Sequence, residues 1–453
     1  MKFSVLALTT LLAAVSAGKV IQLDFSRTLQ STPSKQKKIT LPKGLKVDLT
    51  IPVENDLVLY SAKIQVGTPE QEFLVQVDTG SSDLWLYDSS DLCIGGGCSQ
   101  YGLFHTNESS TYKELLPKQF EIGYGDGSYA KGDWVEDTVT IEGVKIPKQQ
   151  FGLAKNTTAT PAILGIGLTP LEAAEKEYIN VPKSLYLNGD IGSYTYSLYL
   201  SDLEATQGSI LFGGIDKSHF SGPLQTLPLI SSYAFWVTLS KLDIKSSVKN
   251  KTVNALEVPG QVLLDSGTTL TYLPTQSYET ILKDWDIDVD PDYGAIVPEY
   301  KLQQLQDEYL EYNLQGIKIK VSAKQLFSPA YTGDDLNTIA RYPNGQQAYG
   351  LLIAPNGNST EGLILGDSFL RSAYVVYDLP NLQISLAQAD YSGGPAQIEP
   401  IDPGLNAVPG ATPVRHWGAV YSNVPISTTV NYDPTTYTLS PRPYTAPAPS
   451  ASA

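Results

Sequence analysis

Two nine-residue stretches of this chain share one pattern. Val77-Asp78-Thr79-Gly80-Ser81-Ser82-Asp83-Leu84-Trp85 comes first; Leu264-Asp265-Ser266-Gly267-Thr268-Thr269-Leu270-Thr271-Tyr272 follows 187 residues later. Each sets an Asp at the end of an apolar strand, then a hydroxyl residue, a Gly and two more hydroxyl residues. Gly lets the backbone fold back on itself. Hydroxyls hydrogen-bond a carboxylate and hold it in place. Either Asp alone would be read as a turn cap. The matched pair reverses that reading: two such tips facing each other would make a paired-carboxylate active site.

At 453 residues the chain can bury a large core in at least two lobes. Its start has the form of a secretory signal, residues 1–17: Lys2, an apolar run from Phe3 to Val15, and the small-residue site Val15-Ser16-Ala17. That run is short for a membrane span, and the end of the chain, Ser440 to Ala453, lacks the hydrophobic stretch of a lipid-anchor signal. A secreted, extracellular protein without a membrane anchor is therefore expected. The two cysteines, Cys93 and Cys98, flank Ile94-Gly95-Gly96-Gly97 and in an oxidising compartment would close one small loop. Two thiols with no adjacent His do not complete a metal site, so no metal or other cofactor is expected. Sequons at Asn107, Asn156, Asn250 and Asn358 are glycosylation candidates.

Residues 18–38 are basic and polar and end in Lys35-Gln36-Lys37-Lys38, the form of a short pro-segment. Without residues 1–38 the chain holds 25 basic and 46 acidic residues, a net charge of −21. Nucleic acid and anionic membranes are poor partners for such a surface. Residues 54–390 read as mostly strand, in an N-terminal lobe (54–200) and a C-terminal lobe (201–390). Helix signals are few. Pro182 sits near the start of one, and Thr275 to Trp285 forms another, with Thr275 or Ser277 as possible caps. Residues 391–453 hold 11 of the 30 prolines, and this composition predicts an extended, poorly ordered tail. Ala162-Ile163-Leu164-Gly165 and Leu363-Ile364-Leu365-Gly366 each follow one Asp motif. In a β lobe such a strand could brace the Asp turn.

Together these residues resemble the pepsin-type aspartic peptidases, most closely the secreted fungal candidapepsin and yapsin kind. The resemblance spans roughly residues 55–390. It takes in both Asp motifs, both apolar-apolar-Gly strands, the flap-like Tyr124-Gly125-Asp126-Gly127-Ser128, and the linking strands Tyr196 to Leu200 and Gly208 to Asp216. It implies a mostly β, bilobal fold of two antiparallel lobes with an active-site cleft between them. It implies a monomer that acts on protein and peptide substrates. Asp78 and Asp265 would be catalytic, sharing one proton and activating water without a covalent intermediate. Ser81 and Thr268 would hold the outer carboxylate oxygens, Thr79 and Ser266 would reach across between lobes, and Gly80 and Gly267 would form the turns. Tyr124, Gly125 and Asp126 would lie on a flap closing over substrate, with Trp85 as hydrogen-bond partner of Tyr124. Asp126 at this place implies acceptance of Lys or Arg, besides bulky apolar residues, before the scissile bond. Many relatives carry a second-lobe disulfide that this chain lacks.

Rival chemistries fare worse. Gly366-Asp367-Ser368 has the start of a lipase motif but lies near the end of the core, and only His105, His219 and His416 could serve as base. The His-Glu-x-x-His of zinc peptidases is absent, and nothing favours carboxylates spaced to flank a sugar bond. A silent binding protein on the same fold usually lacks a catalytic Asp or the flap Tyr, and all three are present here.

Overall fold

The computed structural model describes residues 19–30 and 57–414, except 92, 95, 160, 206, 292, 333–334 and 358–361. The expected signal peptide, Lys35 to Lys38, Asn358 and the chain from 415 onward lie outside the described residues.

The strands of the N-terminal lobe range from wholly buried, as in the two short ones beside the first Asp motif, to largely exposed, as in the one that leads to the flap. It comprises β2 (Leu57–Val66), β3 (Gln71–Asp78), β4 (Leu84–Tyr87), β5 (Lys113–Gly123), β6 (Tyr129–Ile141), β7 (Val144–Thr157) and β8 (Ala162–Gly165). β8 runs parallel to β3, with Asp78 opposite Gly165, and antiparallel to β4. The C-terminal lobe repeats this arrangement. Gly260–Leu264 runs parallel to Leu363–Leu365, which pairs antiparallel with Thr271–Leu273. In both copies the apolar-apolar-Gly strand passes between the two strands that carry the Asp motif. The strands of the C-terminal copy belong to an eight-stranded sheet, and a four-stranded and a two-stranded sheet lie beside it in the C-terminal lobe.

The lobes are joined by a broad run of strands that includes Thr195–Tyr199, Gln207–Phe212, Ala373–Asp378 and Gln383–Ala389. Between this run and β2 lies β1 (Ile21–Gln30), paired antiparallel with β2 on one side and Gln207–Phe212 on the other. The segment read as a pro-segment thus supplies a central strand. Its basic and polar composition hides the alternation of buried Ile21, Leu23 and Phe25 with exposed Gln22, Asp24 and Ser26.

Helices lie at Val181–Leu187 and Thr275–Trp285 as read; among the described residues two shorter ones, Glu299–Gln304 and Asp367–Leu370, and five single 3-10 turns accompany them. Asn180 caps the first through Lys183 N at 3.3 Å. The second has neither expected cap. The chain enters it from Pro274 without a side-chain cap, and Ser277 is buried within the helix. Cys93 and Cys98 form the expected disulfide.

The tail reading needs correction for residues 391–414, which dock on the body. Ile398–Pro400 pairs antiparallel with Gly214–Asp216, and Thr412–Pro413 runs parallel to Gln225 and Thr226. Ile401 and Val408 are buried in a cluster with Tyr199, Ile215, Leu224, Tyr374 and Val376. Proline and glycine disfavour regular elements, yet a few spaced aliphatic side chains suffice to hold an irregular strap on an apolar face. Ile401→Ala is expected to lower unfolding free energy by about 2–5 kcal/mol, read as a lower urea midpoint with unchanged slope.

Candidate active site

Each Asp motif folds on itself first. Gly80 N–H donates to Asp78 Oδ1 at 2.7 Å, and Gly267 N–H to Asp265 Oδ1 at 2.8 Å. The Ser81 hydroxyl donates to Asp78 Oδ2, and Thr268 Oγ1 to Asp265 Oδ2 at 2.7 Å. Both carboxyls are nearly buried, and each has a backbone and a hydroxyl donor fixing its rotamer.

The two turns then lock together across the lobes. Thr79 Oγ1 donates to Leu264 O and accepts from Ser266 N–H, both at 2.9 Å. Ser266 Oγ donates to Val77 O at 2.9 Å and accepts from Thr79 N–H at 3.1 Å. Gln76 adds a bond to Gly267 O at 2.9 Å. Hydroxyls suit this place because each donates and accepts at once. The glycines allow the close approach. A Cβ on Gly80 would lie 2.5 Å from Asp265 Oδ1; one on Gly267 would lie 2.6 Å from Asp78 Cγ and 3.1 Å from Asp265 Oδ1.

The two carboxyls act on each other across the lobes, and the Asp78 carboxyl is pushed well above the usual carboxylate range. Burial is the largest cause and the neighbouring Asp265 the next; Ser81 and Gly80 oppose them. Two such acids in a low-dielectric site do not ionise together.

Tyr124 lies at the tip of the hairpin joining β5 and β6, closed by Tyr124 N to Ser128 O at 2.9 Å and Gly127 N to Tyr124 O at 3.0 Å. Its hydroxyl accepts from Trp85 Nε1 at 2.7 Å, which ties the hairpin to the strand leaving the first Asp motif. Burial, then the Asp78 charge, raises the Tyr124 phenol well above its ordinary value. Gly125 and Asp126 are exposed at the tip, where Asp126 Oδ1 accepts from Ser128 N–H at 2.8 Å.

With this geometry in place, comparison with known proteins is decisive. The family model described as Eukaryotic aspartyl protease matches residues 59–389. This chain belongs to that family. It is 35% identical over 409 residues to the "Probable aspartic-type endopeptidase opsB" of Aspergillus fumigatus, covering 88% of this chain and 82% of that protein. It is 35% identical to "Aspartic proteinase yapsin-3" of Saccharomyces cerevisiae over 82% of this chain and 73% of the relative. It is 38% identical to "Secreted aspartic protease 6" of Candida albicans, over 76% and 79% respectively. An aspartic proteinase from Irpex lacteus shares the fold, with a TM-score of 0.61 and 19% identity over 83% of this chain and all of the other. The chain is thus an aspartic-type endopeptidase, a hydrolase of pepsin-like bilobal fold.

Sequence reasoning missed several residues around the aspartyl protease turns. Gln76 reaches the opposite turn, and buried Asp83 is linked to half-buried Tyr178 and, through it, to half-buried Glu172. A signal for Asp83 was present, because the second motif has Leu270 at the matching position.

Thr79→Val keeps the side-chain shape and strips two buried hydrogen bonds from the lock. It is expected to cost about 2–5 kcal/mol of stability. Turnover should fall at least ~10²-fold, because small displacements at a reacting pair are costly. Urea unfolding and steady-state kinetics on one preparation check both.

Proposed function

We propose that this endopeptidase cleaves protein substrates in acid by direct attack of a water activated between Asp78 and Asp265. The observation that carries this reading is the pair of buried carboxyls on two interlocked turns. The pair holds one proton. The ionised member takes a proton from water while the protonated member donates one to the scissile carbonyl oxygen. Water adds to the carbonyl carbon, and the gem-diol collapses with proton transfer to the leaving nitrogen. The pair titrates as a unit. Ser81 and Thr268 orient the outer oxygens, and Thr79 and Ser266 keep the turns in register. Tyr124 closes over the bound peptide, its ring oriented by Trp85.

The pH dependence follows from the raised Asp78 carboxyl. A proton bound more tightly than in an ordinary carboxyl stays on the pair in acid and leaves as pH rises, so activity falls on the alkaline side. In strong acid the second carboxyl is also protonated, and the base is lost. Cleavage of an unfolded protein substrate is therefore expected to be bell-shaped between about pH 3 and about pH 7. Asp78→Asn and Asp265→Asn should each lower kcat about 10³-fold or more while leaving the fold intact, and pepstatin should block the parent. A folded sample inactive throughout would instead indicate a silent binding protein.

Asp126 supports a preference for Lys or Arg beside bulky apolar residues before the scissile bond, because its second oxygen remains available at the flap tip. Asp126→Ala should lower kcat/KM at Lys and Arg sites by about tenfold relative to Leu or Phe sites, read from cut positions in a mixed peptide library.

The signal-like start and the relative named a secreted protease support an extracellular enzyme made with a short pro-segment. Exposed Asn107 and Asn250 suit glycan attachment better than half-buried Asn156, which lies in β7.

A further inference from the structure

Behind the first Asp turn lies a carboxylic acid that the reaction above does not use. Asp83 is 0% exposed. Its Oδ2 accepts from Ala173 N–H at 2.9 Å, and its Oδ1 accepts from the Tyr178 hydroxyl at 3.0 Å. Both partners lie on the segment 169–180, which follows β8 and wraps the Asp78 turn. Ile166 N–H reaches Asp78 O, Gly167 N–H reaches Ser81 O, and Ser82 Oγ reaches Leu168 O. The Tyr178 ring packs edge-on against Trp134 of β6, itself edge-on to Phe120 of β5. Those two strands carry the flap. One side chain therefore connects the Asp78 turn, the 169–180 segment and the base of the flap.

Asp83 is poorly equipped to carry charge. Asp133, equally buried, is paired with Lys155 and accepts from Lys118 N–H. Asp137, with no exposure, accepts from Ser109 Oγ, Thr111 Oγ1 and Thr138 N–H. Asp83 has two neutral partners and, among the described residues, no salt bridge. The titratable groups that face it are Tyr178 and Glu172 from the segment and Tyr124 from the flap. Lys183 acts on Glu172. Glu172 accepts from Tyr178 N–H at 2.6 Å, while its Oε1 is buried with no hydrogen-bond partner. A second acid thus sits beside Asp83, and ionising both would place two anions in one low-dielectric layer. The matching place in the second lobe holds Leu270, so the turn itself does not demand an acid.

We propose that Asp83 is a positioning residue that works in its neutral form. Protonated, it holds the 169–180 segment and the flap strands against the Asp78 turn, and its ionisation releases them and brings the alkaline limb of the peptidase below the pH at which the Asp78 and Asp265 pair itself loses its proton. In the neutral form the bond to Tyr178 turns round, so that the carboxyl O–H donates to the phenol oxygen while the carbonyl oxygen still accepts from Ala173 N–H. In the anion both oxygens only accept, and two neutral donors do not replace lost hydration. Burial moves this carboxyl up to about 6 against the opposing hydrogen bonds from Ala173 and Tyr178, and burial moves Glu172 up to about 9. A folded value above the unfolded one means that the contribution of Asp83 to stability is full in acid. It declines as pH rises from about 4 to about 6 and stays lost above.

Only the activity arm of the test rests on the dyad reading. Asp83→Asn is the permanent neutral mimic, because its amide donates to Tyr178 and its carbonyl accepts from Ala173. Melting is measured from about pH 4 to about pH 7 in an Asp78→Asn background, which prevents self-digestion. The fall in Tm across that range should be smaller by at least about 3 °C with Asn at 83 than with Asp. In the otherwise unaltered chain, Asp83→Asn should move the alkaline limb of kcat/KM upward by at least about half a pH unit. Hydrogen exchange on the Asp78→Asn protein needs no variant at 83. Protection of residues 169–180, corrected for intrinsic rates, should fall at least tenfold as pH crosses about 6. Equal Tm falls, or unchanged protection of that segment, would overturn the proposal. An Asp83 effect on melting and exchange in a chain with no peptidase activity would leave it standing and remove the dyad reading instead.

Discussion

The interlock of Thr79 and Ser266 is the contact on which the rest of the site depends. Each lobe can form its own Asp turn, because the Gly and hydroxyl donors are local to each motif. What neither lobe can do alone is bring the carboxyls together. Two hydroxyl side chains, each crossing to the opposite strand and accepting a backbone N–H in return, fix that approach. The bonds are buried, so water does not compete with them, and losing either partner strands polar groups in the interior. Gly80 and Gly267 have their place for the same reason, since a methyl on either would collide with the opposite carboxyl.

This approach has an electrostatic consequence. Two carboxyls forced together under burial repel a second charge, and the raised Asp78 carboxyl expresses that. The attraction of the arrangement for catalysis is that one environment yields both an acid and a base. The cost is sensitivity to pH, and it is not confined to the pair. Asp83 and Glu172 are also raised by burial, on the same side of the cleft floor. On the mechanism proposed above, an enzyme assembled around carboxyls that burial shifts toward the neutral form is suited to acid as a folded object as well as a catalyst.

Much of this was legible in the sequence because it is encoded in short motifs. Asp78, Asp265 and their hydroxyl partners lie within four residues of one another in each copy, and the spacing of Gly165 and Gly366 behind them marks the bracing strands. Tyr124 and Trp85 were legible through resemblance, as they are 39 residues apart and meet only in the fold. Other features resist reading for physical reasons. β1 looks like a polar arm until its partners on both sides are known, since alternation over six residues acquires meaning from the sheet that receives it. Residues 391–414 have the composition of a linker, yet Ile401 and Val408 find an apolar face already formed by Tyr199, Leu224 and Tyr374. Asp83 was visible only as a break in the repeat against Leu270, and its partners lie 90 and 95 residues onward.

The central claim is that two interlocked turns hold one proton between two carboxyls. Neutron diffraction from crystals of the deuterium-exchanged enzyme at about pH 5 tests it most directly, because it locates that proton rather than inferring it from rates. The expected map shows a single deuteron on the Asp78 and Asp265 carboxyls together, with the Ser81 and Thr268 hydroxyl deuterons directed at the outer oxygens. Two deuterons on the pair, or none, would contradict the account.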